Sequence, residues 1–415
     1  MEPTAIQRYA NELALLVESD WHQNNLAEAA FPKIAAAALE RMPFHAELDA
    51  KALFEYGLLY EQKAHQTNPG YSFGDPPLTL CRREHFEVGV LFWLDGTTSI
   101  HQHSFSGAFQ VLQGTSLHST YQFSLREEIN ERLLLGALEC VQTELLRKRD
   151  IREIAAGSRF IHSLFHLDRP SITLIVRTHS ESSHGPQYSY RRPGVALDPF
   201  HQSPEKTLRT RLVKSLLSIP DENLLSMVKA VFQKASLEPN LRLLLEIAGL
   251  LRERKLKVEG LLEIAIGGRG DLRPLVKELF EDELRVQNIT SRRKDIVNEE
   301  HRFFLALLLN LPNREAIFTT IADYQSGQSD PAQTLVRWVG ELTGIGGENE
   351  DKLGLAFDDL KFHVFAGLMF EKEGDDLRQF VLNRLQSQNL PFSEKEFQLA
   401  QFVIPELRIF KPLFK

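Results

Sequence analysis

The sequence contains very little cysteine. Cys81 and Cys140 are the two cysteines among 415 residues. They are too few for a disulfide framework and lack the CxxC spacing of zinc or redox sites. We interpret both as small buried apolar residues and expect a reducing, cytoplasmic location.

Long apolar runs and an excess of positive charge are also missing. No uninterrupted apolar stretch reaches about 18 residues, so no membrane-spanning helix is expected. The N-terminus lacks the basic start and apolar core of a signal peptide, so we do not expect one there. Lys and Arg number 48 against 56 Asp and Glu, which gives a net charge of -8. No global basic field attracts nucleic acid or anionic lipid, and we expect neither as a partner.

Composition and periodicity divide the chain into four predicted segments. Hydrophobic residues make up 43% and charged residues 25%, as in ordinary globular proteins. Residues 1–70 show helical spacing of apolar residues, and residues 71–180 show short β-rich runs between Gly, Asp or Pro turns. Residues 181–206 are polar, contain four prolines and are predicted to be a linker. Residues 207–415 are helical again and predict an all-α domain.

One stretch of the β-rich segment is ambiguous. Residues 127–146 contain closely spaced leucines that fit either a helix or buried strands. We favour a strand in the second half, with residues 147–150 as the turn into the next strand.

Histidines are concentrated in the β-rich part of the chain. Eight of the fourteen lie there or just after it, namely His85, His101, His103, His118, His162, His166, His179 and His184. Because side chains alternate along a strand, His101 and His103 point to the same face. A barrel can bring His162 from a later strand beside them. Three neutral imidazoles on one side of a cation leave its other positions open, which predicts a metal site.

The residues around these histidines form two motifs. Residues 95–114, DGTTSIHQHSFSGAFQVLQG, resemble the first cupin motif, and residues 150–176, DIREIAAGSRFIHSLFHLDRPSITLIV, resemble the second. The resemblance is closest to the cysteine dioxygenase branch of the thiol dioxygenases, whose first motif similarly runs Ser-Ile-His-x-His and ends Leu-Gln-Gly. It covers about residues 78–178. It implies a multidomain α and β protein with a cupin-type β-barrel core, N-terminal helices and a C-terminal all-α domain.

The resemblance also implies the ligand set. At the position where many cupins carry a carboxylate ligand, this sequence has Gly107. The family therefore implies Fe(II) held by His101, His103 and His162, although another divalent metal such as zinc or nickel is an alternative. Three neutral ligands leave the charge of the metal uncompensated, which favours an anionic co-ligand such as a thiolate.

Five further side chains are candidates for substrate contacts. The family places a carboxylate-binding arginine on the strand before the first motif, and Arg82 is its counterpart here, with Arg83 as the alternative. Arg177 faces inward in the expected register and is a candidate for bidentate binding of an anion. Tyr121 on the strand after the first motif is a candidate polar group of the pocket, as is His118.

These features predict a cysteine dioxygenase-like non-haem iron oxygenase that oxidises a thiol to a sulfinate with dioxygen. An alternative is a three-histidine cupin oxygenase with a non-thiol substrate, because Thr173, Ile175 and Arg177 stand where the family has Ser, His and Tyr. A third hypothesis is a metal-dependent ligand sensor or scaffold without turnover. The expected partners are a small-molecule substrate and dioxygen, and the helical domain is a candidate surface for a protein partner or a homodimer.

Overall fold

The structure is a computed structural model of the chain. It describes residues 4–44, 49–60, 64–66, 74–94, 98–179, 184–201, 203–219, 224–327, 329–345 and 350–415. The chain divides into two compact units, Met1–Leu279 and Phe280–Lys415.

Helices precede the strands in the first unit. They are α1 (Ala5–Gln23), a short 3-10 helix (Glu28–Ala30), α2 (Phe31–Arg41) and α3 (Ala50–Leu59). The side chains of Thr4 and Asp49 each accept a backbone hydrogen bond at the start of a helix, which caps α1 and α3. Buried residues of α1 and α2, such as Leu13, share one hydrophobic core with Val88 and Val176 of the strands. The helices therefore cover one face of the β region.

The strands follow in chain order. They are β1 (Pro77–Arg82), β2 (Phe86–Trp93), β3 (Ile100–His103), β4 (Gly107–Gln113), β5 (Ser116–Asn130), β6 (Leu133–Leu146), β7 (Ile151–Ile154), β8 (Gly157–His166), β9 (Ser171–Thr178), β10 (Ser189–Arg191) and β11 (Val195–Leu197). A five-stranded sheet has the order β1-β2-β9-β4-β7, and β10-β11-β6-β5-β8-β3 close into a barrel. All the pairings are antiparallel.

The ambiguous stretch at residues 127–146 is extended rather than helical. β5 continues to Asn130 and β6 begins at Leu133, so strand structure extends further than the predicted second half. The two strands pair along their whole length, with irregularities in the register. β5 is buried in its first half and exposed in its second, whereas β6 is buried at both ends and exposed between them, so the leucine pattern fits no single period. The predicted turn at residues 147–150 follows β6.

The segment predicted as a linker, residues 181–206, contributes two strands. β10 pairs with β3, and β11 pairs with β6, so the two complete the ring of the barrel. Tyr190 and Ala196 are buried in a core cluster with Tyr121. Strands of three residues are too short to show an alternating pattern, and the four prolines in this segment favour the prediction of a linker. A simple linker therefore does not describe this segment.

The rest of the described chain is helical. The first unit contains α4 (Pro204–Ser218), α5 (Leu224–Gln233), α6 (Leu237–Glu253), α7 (Glu259–Ala265), a 3-10 helix (Gly270–Leu272) and the start of α8 (Arg273–Arg292). The second unit contains the rest of α8 and α9 (Glu299–Asn310), α10 (Arg314–Tyr324), α11 (Pro331–Thr343), α12 (Asp359–Met369), α13 (Gly374–Ser387), α14 (Glu394–Val403) and a 3-10 helix (Arg408–Phe414).

These helices begin at residues that cap them. The side chains of Asn298, Asn313, Asp330, Asp358 and Ser393 accept backbone hydrogen bonds at the starts of α9, α10, α11, α12 and α14. None of the helices in the described ranges is long and apolar enough to cross a bilayer.

The predicted β-barrel core with N-terminal helices and a C-terminal helical region is confirmed. The predicted domain boundaries, including the one at residue 207, stay predictions. The compact units divide after Leu279, and α4 to α7 lie in the unit that holds the barrel.

Candidate metal centre

Two paired strands bring the three predicted histidine ligands together. His101 of β3 lies opposite His162 of β8 in the antiparallel pairing, and His103 follows two residues further along β3. One ligand atom from each ring lies within 4.8 Å of the others. The Nε2 atoms of His103 and His162 are 2.9 Å apart. This geometry aims three imidazoles at a common point.

The three imidazoles are buried and neutral. Their exposed fractions are 4% for His101 and His103 and 3% for His162. Burial lowers the pKa of His101 to about 4 and holds the pKa of His103 and His162 well below the ordinary value, because a buried imidazolium loses its hydration. Neutral imidazole is the form that binds a metal.

A backbone contact sets the tautomer of His101. Its Nδ1 lies 2.7 Å from the carbonyl oxygen of Ser99. A carbonyl oxygen accepts hydrogen bonds but does not donate them, so Nδ1 carries the proton and Nε2 carries the lone pair. His101 therefore presents a ligand atom that is ready for a cation.

A chain of polar side chains sets the tautomer of His162 from behind. Arg152 donates to both carboxylate oxygens of Glu144, with an Nε–Oε1 distance of 2.8 Å. Glu144 Oε1 lies 3.0 Å from His118 Nδ1, and His118 Nε2 lies 3.1 Å from His162 Nδ1. Hydrogen bonds from Arg152 and His118 lower the pKa of Glu144 to about 2, so this carboxylate is ionised and accepts a hydrogen bond from the Nδ1–H of His118.

The direction of every hydrogen bond in that chain follows from the carboxylate. Glu144 accepts at His118 Nδ1, and with a single proton on the His118 ring its Nε2 accepts from the Nδ1–H of His162. The Nε2 of His162 is then left with its lone pair toward the other two histidines. A carboxylate that orients a metal ligand is a common arrangement in metal sites. Here a second imidazole lies between the carboxylate and the ligand.

The backbone at Gly107 explains why the site lacks the carboxylate found in many cupins. A Cβ atom at this position would overlap the carbonyl oxygen of Val176 on the neighbouring strand and would crowd Arg177. Glutamate therefore cannot be accommodated without moving β4 away from β9. Among the described residues, the group that can hold a metal ion is the histidine trio. This donor set fits a divalent transition metal with open coordination positions, and imidazole suits iron, zinc and nickel alike.

The trio faces a cavity of about 560 Å³. Most of the lining is apolar, including Leu78, Val90, Trp93, Phe109, Leu164 and Ile175. A cavity of this size and character suits a small organic molecule. The histidines lie in a mostly apolar lining that also includes polar side chains, among them Thr173, Arg177 and Asp198.

Arg177 lines this cavity, in the predicted inward orientation, but its guanidinium is already paired. Its Nε and Nη2 lie 2.8 Å and 2.6 Å from Glu87 Oε1, and the Glu87 side chain is 7% exposed. The guanidinium also lies over the ring of Phe105, 4.9 Å from the ring centroid. Glu87 offsets the positive charge of Arg177, which weakens the case for Arg177 as a binding group for an anion.

The structure places the other predicted site residues away from the cavity. Arg82 is exposed at the end of β1, and neither it nor Arg83 is among the described residues that line the cavity. Tyr121 is buried in a neighbouring core cluster, where its hydroxyl lies 3.3 Å from Ser163 Oγ and accepts from Arg192. Arg82 and Tyr121 are therefore too poorly placed to contact a substrate beside the histidines.

Sequence reasoning missed Glu87, Glu144 and Arg152. Each is one charged residue on a strand, and no motif distinguishes it from a surface residue. An available sign was the local string from Glu144 to Arg152, which places opposite charges on either side of a predicted turn. His118 was noticed, but as a pocket residue rather than as a support for His162.

Comparison with known proteins gives structural neighbours only. The chain matches no protein-family model and no curated protein. Similar solved structures include a cupin-2 domain protein from Shewanella frigidimarina, with 14% identity, coverage of 26% of this chain and 82% of that chain, and a TM-score of 0.18. A cupin superfamily protein from Desulfitobacterium hafniense has 12% identity, coverage of 28% and 92%, and a TM-score of 0.17. Hydroquinone 1,2-dioxygenase from Sphingomonas sp. TTNP3 has 11% identity, coverage of 25% and 65%, and a TM-score of 0.19.

Two of these three neighbours are named as cupins, and all three have low sequence identity to this chain. Their TM-scores lie below 0.5, so they carry no conclusion about activity.

Proposed function

We propose that this protein is a three-histidine, non-haem Fe(II) oxygenase that acts on a small, largely apolar substrate bearing one ionisable group. The observation that carries the proposal is a buried trio of neutral histidines facing an apolar cavity of about 560 Å³. Iron bound there would supply the one-electron chemistry that reactions of dioxygen require.

The apolar lining limits the substrate class. A zwitterionic amino acid would have to bury an ammonium and a carboxylate, and each buried charge needs a partner. The cationic side chain in the lining, Arg177, is held by Glu87. A substrate whose bulk is hydrocarbon or aromatic loses nothing by entering this space and gains about 25 cal/mol for each Å² of apolar surface buried.

A metal ion held by the three histidines favours a substrate with one anionic group. They bring no negative charge, so a bound dication keeps its full charge and lowers the pKa of a group that approaches it. A phenol, an enol or a thiol would therefore be bound as the anion.

Thiol oxidation is the second candidate function. It is favoured by the Ser-Ile-His-x-His string at residues 99–103 and by the same uncompensated charge at the histidines. Free cysteine is a poor substrate candidate, because neither predicted partner for its carboxylate is suitable: Arg82 is at the surface and Arg177 is paired with Glu87. A hydrophobic thiol satisfies both the cavity and the charge.

Oxygen uptake by iron-loaded, untagged protein tests the proposal. Elemental analysis comes first, followed by measurement of dioxygen consumed against product formed with phenols, enols, hydrophobic thiols and cysteine. We expect uptake in step with product for an apolar phenol, enol or thiol, and loss of uptake in His101→Ala/His103→Ala. His22→Ala, an exposed histidine of α1, serves as the matched control and retains activity.

Two outcomes would contradict the proposed function. Turnover of cysteine in preference to every apolar substrate would replace it with the cysteine dioxygenase hypothesis. Tight ligand binding to the iron-loaded protein without any dioxygen uptake would favour the sensor or scaffold hypothesis.

A further inference from the structure

A second cavity, separate from the histidine trio, lies between β10, β11 and the helices α4 and α6. Its volume is about 360 Å³. Six lysine and arginine side chains line it, namely Arg191, Lys206, Arg209, Arg211, Lys214 and Arg242. Among the described lining residues, Glu246 is the acidic one. We refer to this space as the basic cavity.

Two carboxylates offset part of the positive charge of the basic cavity. Glu238 is 4% exposed, accepts from Lys206 at 3.0 Å and pairs with Arg242. Glu246 pairs with Lys214, at an Nζ–Oε2 distance of 2.5 Å. Three of the six cations, Lys206, Lys214 and Arg242, are therefore paired with these two carboxylates.

Two arginines of α4, Arg209 and Arg211, line the basic cavity without a carboxylate partner among the described residues. Arg209 donates to neutral acceptors, the carbonyl oxygen of Val231 at 2.8 Å and the side chain of Asn240 at 3.5 Å. Burial lowers the pKa of the Arg209 guanidinium, because the charged form loses hydration. Arg211 forms no ion pair with any residue that the structure describes. An anion in the basic cavity would offset charges that the protein itself leaves uncompensated.

The remaining lining fits a ligand with both a charged and an uncharged part. The hydroxyls of Ser189, Thr207 and Thr210 line the cavity and are hydrogen-bond donors. Leu197 and Leu243 line it as well and offer apolar contact. Guanidinium groups match the geometry of phosphate oxygens and bind them through two hydrogen bonds.

We propose that the basic cavity binds a small phosphorylated molecule that carries several negative charges and an apolar or ring portion, such as a nucleoside polyphosphate. Its volume lies within the range of small-molecule sites. The whole chain has a net charge of -8, so the basic cavity is a local departure from the charge of the protein and attracts an anion only at short range. This site does not depend on the proposed oxygenase activity.

Calorimetric titration of the full chain with ATP and with pyrophosphate, without added metal, tests the proposal. We expect both probes to bind, ATP more tightly because of its ring, and the affinity to fall with added salt. Arg209→Gln and Arg211→Gln should each weaken binding by about tenfold or more, since each removes a charge-assisted hydrogen bond. Arg252→Gln, an exposed arginine of α6 outside the basic cavity, is the matched control and should bind as the unmodified protein does.

The same titration of a variant that lacks two of the three histidines distinguishes binding in the basic cavity from binding at the histidine trio. Binding of ATP should be unchanged in His101→Ala/His103→Ala, and loss of binding there would locate the phosphate at the metal centre and overturn the proposal. Equal weakening by Arg252→Gln would mean that only the overall charge matters. Failure of both probes to bind, or tighter binding of single-stranded DNA than of ATP, would also overturn it.

Discussion

Replacement of Glu144 by Gln tests whether the chain behind His162 controls the metal centre. The change keeps the shape of the side chain but removes the negative charge that accepts hydrogen bonds from Arg152 and His118. His118 is then no longer required to present its Nε2 as an acceptor to His162, 3.1 Å away. The lone pair of His162 that faces the other ligands is consequently less well fixed.

The expected magnitude follows from the position of Glu144. It is two hydrogen bonds removed from His162, at distances of 3.0 Å and 3.1 Å. Loss of groups that orient metal ligands weakens metal affinity by about 10- to 100-fold, or about 1.4 to 2.7 kcal/mol. We expect Glu144→Gln to lie near tenfold and His118→Asn, which removes the direct partner, near 100-fold. The double variant should resemble His118→Asn alone, because both residues act through one path.

Competition titration against a chelator, with Co²⁺ as a spectroscopic probe, measures these affinities. Glu139→Gln is the matched control, because Glu139 is an exposed residue of the same strand and the change in charge is identical. The reasoning is refuted if Glu144→Gln binds Co²⁺ as tightly as the unmodified protein and with the same spectrum. Equal losses in Glu139→Gln and Glu144→Gln would reduce the effect to net charge.

Three further predictions concern stability. The pKa of Glu144 is lowered to about 2 from an ordinary value of 4.5, so its stabilising effect is fully present above about pH 4.5 and is lost as the pH falls toward 2. The difference in the free energy of unfolding between the unmodified protein and Glu144→Gln should shrink over that interval in urea titrations, and a difference that grows on acidification would contradict it. Gly107→Ala should cost about 1 to 3 kcal/mol through overlap with the next strand, whereas Gly270→Ala, with open space around its Cβ position, should cost far less. Glu87→Ala should destabilise by about 3 kcal/mol by leaving the Arg177 cation alone in the cavity wall, and the double change Glu87→Leu/Arg177→Met should recover most of that loss; equal melting temperatures for the two variants would refute the pairing argument.

The parts of the fold that were predicted correctly are those set by local pattern. Alternation along strands predicts that His101 and His103 share a face, and the second motif predicts His162 as the third ligand. The barrel and its flanking helices follow from the change of period along the chain. β10 and β11 could not be found in this way, because three residues carry no period and their pairing with β3 and β6 is a long-range event.

The charged residues of the site show why the remainder was missed. Glu87 and Arg177 are 90 positions apart in the sequence and face each other only because β2 and β9 pair in one particular register. Arg177 alone is an anion-binding group, whereas Arg177 beside Glu87 is part of the wall. The chemical meaning of the arginine therefore depends on a strand register that the sequence pattern does not specify.

The distribution of charge joins these observations into one view of the metal centre. A cupin with a carboxylate ligand places one negative charge on the metal, but the close approach at Gly107 removes that option here. Glu144 acts on the trio through His118 and is itself offset by Arg152. Glu87 is likewise offset by Arg177. A dication held by the histidine trio therefore keeps nearly all its charge, and the group best able to offset it is the substrate. This is the physical reason to expect an apolar molecule that binds through a single anionic atom.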